Sequence, residues 1–290
     1  MIDTLKDMPA VYLAGAGVLG LVVGSFLNVV IHRLPLMMER QWRRQCREFL
    51  DEAPADHAPE ARLDLISPPS QCPHCGHPIG AAEHIPVISY LLLRGRCRAC
   101  GGPISARYPV VELGTALLSL IVVWQLGLTW AAGAALVLTW SLICLSVIDI
   151  DHQMLPDAIT LPVLWLGLLI SLPGLFVDSH TSIIGAACGY LALWLIYKAF
   201  KWLTGKEGMG YGDFKLLAML GAWLGWKVLP LVILLSSVVG AATGIAMIVV
   251  RGRDRNIPIP FGPYLAAAGW LALLWGDGII HGYFALMGIH

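Results

Sequence analysis

The chain has 290 residues, 57% of them hydrophobic and 13% charged, with 19 basic against 19 acidic side chains and a mean hydropathy of +0.72. A soluble domain carries about 25% charged residues, so the composition excludes an ordinary water-soluble globule and describes a multi-spanning membrane protein. A net charge of zero gives no reason to expect a nucleic-acid partner.

Taken in order, eight apolar runs predict helices in the bilayer: residues 9–31, 108–126, 130–148, 158–177, 182–200, 214–226, 228–250 and 260–275. The fold class is therefore an all-α polytopic membrane protein of about eight transmembrane helices. The first run follows Asp3, Lys6 and Asp7 and is too long for a signal-peptide core, so it reads as a retained helix. Basic residues accumulate on the cytoplasmic side. With the N-terminus outside, only Lys6 and Lys227 of the 19 fall on the outer side, which fixes the expected topology. Trp130, Trp202, Trp226 and Trp275 stand near run ends, as interfacial anchors do.

One large polar segment, from His32 to Arg107, interrupts the apolar pattern and faces the cytoplasm in this topology. Between Phe49 and Pro69 it is polar and aperiodic, which predicts a mobile loop. Its second half repeats a knuckle: Cys72-Pro73-His74-Cys75-Gly76-His77-Pro78-Ile79 is echoed by Cys97-Arg98-Ala99-Cys100-Gly101-Gly102-Pro103-Ile104, with 21 residues between the cysteine pairs. Cys72, Cys75, Cys97 and Cys100 suit tetrahedral zinc. Two disulfides are the other reading, disfavoured by a reducing compartment. Cys144 and Cys188 read as small buried hydrophobes. Gly95, between Arg94 and Arg96, is either a turn glycine or a point of close approach by a ligand.

Two carboxylates end the chain's economy of charge. Asp149 closes the third apolar run, and Asp213 opens the sixth directly after Gly208, Gly210 and Gly212. The third run arrives at the inner face and the sixth leaves it, so both acids belong to one membrane surface. Counting back from Lys227 puts Asp213 about 9 Å inside that surface. Irregular backbone at such depth implies a wet cavity, and the glycines are expected to supply its unusual dihedrals. Asp213 lies at a helix N-terminus and Asp149 at a C-terminus, so the macrodipoles nominate Asp213 as the base and Asp149 as the proton carrier.

These residues resemble a known family. Gly210-Tyr211-Gly212-Asp213 matches the G-x-G-D signature of polytopic aspartic proteases, and Asp149 with Pro156-Asp157 resembles the companion motif of the type IV prepilin peptidases. Gly24-Ser25-Phe26-Leu27-Asn28-Val29, Arg33-Leu34-Pro35, the cysteine knuckles and Arg107-Tyr108-Pro109-Val110-Val111-Glu112 extend the similarity over the whole chain. The resemblance implies a two-activity enzyme of the bacterial inner membrane. It would cut the basic leader from type IV prepilins and type II secretion pseudopilins at the cytoplasmic face, between a glycine and usually a phenylalanine. It would then methylate the new N-terminal amine from S-adenosylmethionine. Asp149 and Asp213 would be catalytic, with residues 1–35 as a first helix, 36–106 as the zinc domain tied to methyl transfer, and 107–290 as the peptidase core.

The remaining polar residues each carry two readings. Glu112 is a contact for the substrate's amine or leader, or a partner for Arg107. Asn28 and His32, from the first-helix motif, would shape a substrate or donor groove. Asp157 reads as a helix N-cap, and Lys215 either pairs with an active carboxylate or snorkels. No G-x-G-x-x-G marks a Rossmann donor site. Paired intramembrane acids also occur in ion-coupled transporters, and a membrane-anchored zinc adaptor would explain the knuckles while leaving both acids without purpose.

Overall fold

The computed structural model describes residues 9–50, 63–206, 208–251 and 259–286. We number the helices α1 (Pro9–Phe49), α2 (Ile88–Leu92), α3 (Arg107–Leu126), α4 (Trp130–His152), α5 (Asp157–Ile170), α6 (Ser179–Thr204), α7 (Tyr211–Leu224), α8 (Leu229–Arg251) and α9 (Gly262–Leu286). Every apolar run expected from the sequence is helical, and six helices among the described residues are long and apolar enough to cross a membrane. The exceptions are α5 and α7, each of 14 residues. At 1.5 Å per residue each rises only about 21 Å, short of the roughly 30 Å hydrocarbon core.

The reasons for stopping are local. α5 was expected to run to Val177, but Ser171 closes it and Gly174, at φ 69°, turns the chain. α7 ends at Gly225, whose φ of 77° lets its N–H reach the Gly221 carbonyl at 2.8 Å. α9 does the reverse, continuing past Trp275 to Leu286.

The chain divides into two compact units, Met1–Trp124 and Gln125–His290. In the first, α1 and α3 pack through Gly20 and Gly24. A Cβ on Gly20 would stand 2.6 Å from the Ala116 Cα, and one on Gly24 2.8 Å from the Glu112 Cα. Small residues one turn apart bring helix backbones together where no hydrophobic drive exists between them. α1 continues through Pro35 to Phe49, so the first helix is 41 residues long. Arg33 ties the following segment back to it, donating to the Asp64 carbonyl at 3.0 Å and the Pro68 carbonyl at 2.6 Å. The mobile loop expected between Phe49 and Pro69 falls largely on residues 51–62, outside the described residues.

In the second unit α7 is the hub. From Phe214 to Leu224 every residue but Lys215 is buried, as an all-round apolar helix requires when neighbours and not lipid enclose it. Gly185 and Gly189 of α6 let α7 approach backbone to backbone at Gly221 and Leu217. The Ser182 hydroxyl donates to the Ala222 carbonyl at 2.6 Å, and Trp223 donates to Val163 of α5 at 2.9 Å. α9 joins α4 through Trp270, which donates to the Thr139 hydroxyl at 3.0 Å. Trp130 and Trp202 are exposed as expected of anchors, whereas Trp275 packs against Trp270.

Candidate active site and metal site

Asp149 sits in the last turn of α4. Its carbonyl accepts the capping N–H of Gln153, which takes the left-handed conformation at φ 53°, while its carboxylate turns inward and is only 6% exposed. Oδ2 accepts the N–H of Gly262 at 3.0 Å, from the first residue of α9. Asp213, 8% exposed, is the third residue of α7, and the Gly210 backbone amide faces its carboxylate. The bundle brings two acids 64 positions apart in sequence near enough for their charges to interact.

Leu155 occupies the angle between them. A Cβ on Gly212 would lie 2.9 Å from the Leu155 Cβ. One on Gly262 would lie 3.2 Å from the Leu155 Cδ2 and 2.6 Å from Asp149 Oδ2. The glycines of the G-x-G-D stretch thus differ from expectation. Gly210 has φ −80°, and neither Gly208 nor Gly212 has positive φ, so what they supply is close approach: Gly208 to Phe200 and Gly212 to Leu155.

Gly262 escapes a side-chain reading because its contribution is a backbone amide. The only local signal is a glycine flanked by Pro260-Phe261 and Pro263 at the entry of the last apolar run, with proline in the first turn where its missing N–H costs nothing. Its position also removes the basis for the macrodipole assignment. Asp149 ends its own helix but faces the N-terminus of α9, so each acid meets one positive helix end.

Around the pair, Asp157 is the first residue of α5 and not its cap, which is Pro156. Lys215 grips the Asp157 carboxylate at 2.8 and 2.6 Å, so the lysine serves neither Asp149 nor Asp213 and instead joins α5 to α7. Tyr197, Tyr211 and Phe214, the last next to Asp213 in sequence, pack as tilted and edge-on rings with centroids 5.4–5.6 Å apart.

In the other unit the two cysteine knuckles are copies in geometry as well as sequence. Cys72 N–H donates to the His77 carbonyl and Cys97 N–H to that of Gly102; Gly76 and Gly101, at φ 70° and 68°, donate back to Cys72 and Cys97. The four sulfurs lie within 4.8 Å of one another, with Cys72–Cys100 at 3.9 Å and Cys75–Cys97 at 4.0 Å. A tetrahedron with metal–sulfur bonds of about 2.3 Å has edges of about 3.8 Å, which these separations match. All four are free thiols, far from the roughly 2.05 Å of a disulfide. The amides of His74 and Cys75, helped by the Cys97 and Cys75 sulfurs, bring the Cys72 thiol down to about 7 against its desolvation. At Cys75 the His77 amide pulls the same way, but desolvation and the other three sulfurs outweigh it and push that thiol up to about 12. Four sulfurs so close share protons unequally, and a divalent cation could take the place of those protons.

Glu112 does not pair with Arg107 across the turn in any contact described. It is buried and accepts the Val87 N–H at 2.8 Å, with the Ser25 hydroxyl also in reach. Val87 has φ 61° and ψ −47°, a γ-turn closed by Ile88 N–H on the Pro86 carbonyl. For a β-branched residue such a conformation costs about 1–3 kcal/mol. Asn28 donates to the Tyr108 carbonyl at 3.1 Å, and His32 is exposed. Gly95, at φ 66°, accepts the Ile104 N–H at 2.8 Å, and a Cβ there would stand 2.9 Å from the Tyr90 hydroxyl; a turn beneath Tyr90 accounts for the glycine.

Comparison with known proteins places this architecture. A family model described as the bacterial peptidase A24 N-terminal domain matches residues 18–126, and one described as the type IV leader peptidase family matches residues 136–245. The chain is 59% identical over 282 residues to the prepilin leader peptidase/N-methyltransferase of Stutzerimonas stutzeri, covering 97% of each. It belongs to the type IV leader peptidase family. The protein of the same name from Pseudomonas aeruginosa is 54% identical over 288 residues, 99% of both chains, and that of Dichelobacter nodosus 48% identical over 272, 92% of this chain and 94% of the other. No solved structure matches. Within the family model at residues 136–245 fall both Asp149 and Asp213, whereas Gly262 lies beyond it.

Proposed function

We propose that this chain removes the leader from prepilins and pseudopilins with Asp149 and Asp213, then methylates the exposed amine from S-adenosylmethionine. The observation that carries the first half is the buried acid pair with the Gly262 amide on one member. Peptide hydrolysis by two carboxyls needs one ionised and one protonated. The ionised one takes a proton from water as it attacks the scissile carbonyl; the other protonates the departing amine. Like charges held near each other in buried positions cannot both ionise cheaply, so the pair holds one proton between them. Gly262 fixes the rotamer of Asp149, and Gly212 admits Leu155 beside it.

We assign methyl transfer to the unit Met1–Trp124, around the segment 36–106, with zinc held by Cys72, Cys75, Cys97 and Cys100. Four thiolates leave no open coordination position, so zinc there shapes the segment and does not activate a reactant. The excess of basic residues at one end of the spans supports insertion in the bacterial inner membrane with acid pair and cysteines toward the cytoplasm.

The test is purified protein in detergent with a full-length prepilin and methyl-labelled S-adenosylmethionine. Mass spectrometry should find a shortened pilin carrying one methyl on its new N-terminus. Unshortened pilin, or cation flux in proteoliposomes, would turn the reading toward the transporter. Gly262→Ala puts a methyl against Asp149 Oδ2, and a misplacement of that order lowers kcat for cleavage by about 10²-fold. The prepilin KM should hold within a factor of about three, and an undiminished kcat would remove Gly262 from the site.

A further inference from the structure

The described residues bury three carboxylates, Glu112, Asp149 and Asp213. The acid pair uses two. Glu112 stands in the other unit, and peptide hydrolysis as derived above does not need it. Its partners are the Val87 N–H at 2.8 Å and the Ser25 hydroxyl. Neither carries positive charge, although a carboxylate taken out of water ordinarily calls for a cation. Val87 is meanwhile held at φ 61° and ψ −47° in a γ-turn, a conformation a β-branched residue keeps only where something outside the turn holds it. Here the Glu112 carboxylate holds its N–H, and the Leu91 N–H holds its carbonyl at 3.0 Å.

We propose that Glu112 is the acceptor-amine site of methyl transfer: it receives the α-ammonium of the cleaved pilin, and the Val87 N–H stands in for that ammonium until the peptide arrives. This rests on the methyltransferase reading above. An ammonium supplies the missing charge and three donors, enough for the carboxylate and the Ser25 hydroxyl together. Exchange releases Val87 from its strained turn, so the resting contact yields readily. The carboxylate then takes one ammonium proton, and the freed nitrogen lone pair forms the bond to the methyl carbon as the carbon–sulfur bond of the sulfonium donor breaks toward sulfur. Charge and atoms balance, with a thioether and a protonated secondary amine as products. Asn28, one turn along α1 from Ser25, spends its amide on the Tyr108 carbonyl and so keeps α1 and α3 in register beneath the site.

The test uses full-length, zinc-loaded protein, leaderless pilin with a free N-terminus, and S-adenosylmethionine. Glu112→Gln keeps an acceptor for Val87 and the side-chain shape but removes the charge. Its KM for leaderless pilin should rise at least tenfold while the KM for the methyl donor stays within twofold, and Glu112→Asp should recover part of the loss. Wild type should prefer free-amine pilin over N-acetylated pilin as a competitor by at least tenfold, and Glu112→Gln should lose that preference. A Glu112→Gln enzyme with unchanged pilin KM, or with both KM values raised alike, overturns the assignment. Wild type that never methylates leaderless pilin removes the underlying reading instead, an outcome separable from these.

Discussion

Asparagine at either Asp149 or Asp213 should lower kcat for leader removal by about 10³–10⁴-fold, the scale of a lost acid–base group. Asparagine keeps the volume and an oxygen for the Gly262 N–H, so the bundle around α7 has no reason to loosen. What disappears is the shared proton. The double variant should be no worse than either single one, because residues that act as a unit are not additive. Wild-type cleavage should follow a bell in pH whose two limbs belong to the pair, since activity needs one proton on it, neither none nor two. Each Asn variant should flatten that bell. Initial rates on purified prepilin from acid to alkaline pH would measure both effects. A single variant that keeps more than a tenth of the wild-type rate would leave the acids without the role given them.

The reach of sequence reasoning is visible in this site. Asp149 and Asp213 stand out in sequence because a carboxylate next to an apolar run is costly, and the repeated knuckle announces itself by spacing. Gly262 does not, since an N–H donor 113 positions from its acceptor carries no residue-type signal. The length of α5 was equally hidden, since its apolar run reads on to residue 177, whereas the run at 214–226 is already short in sequence. The apolar residues of α5 resemble those of a full span until the turn at Gly174, and what sequence does not show for α7 is why 14 residues suffice: its enclosure against Gly185 and Gly189. The same limit applies to Lys215 and Glu112. Sequence identifies each as an ionisable group in apolar surroundings, but the partner comes from a distant element: Asp157 across the α5–α7 contact, and the Val87 amide from a loop 25 residues away.

Stripping the metal should remove methyl transfer and leave the spans of Gln125–His290 folded. Among the described residues of the segment 70–104 the only buried side chain is that of Cys72, so no apolar core holds the two knuckles together. Segments of that size need a staple. A structural zinc in such a setting binds with about 10–16 kcal/mol, far more than the few backbone hydrogen bonds of each knuckle supply. Cys97→Ser, or a strong chelator on the wild type, should therefore take bound zinc from one per chain to none. It should also abolish amide protection at Cys72, Gly76, Cys97 and Gly101, whose N–H groups close the turns. Acid should do the same. A metal held there would replace protons on thiols that sit at about 7 for Cys72 and about 12 for Cys75, so its affinity should rise with pH and be lost as protons compete below neutrality. Metal content by mass spectrometry and hydrogen exchange resolved by residue would follow both. Full protection of the knuckles in zinc-free protein would mean that the four cysteines are held by something other than a metal.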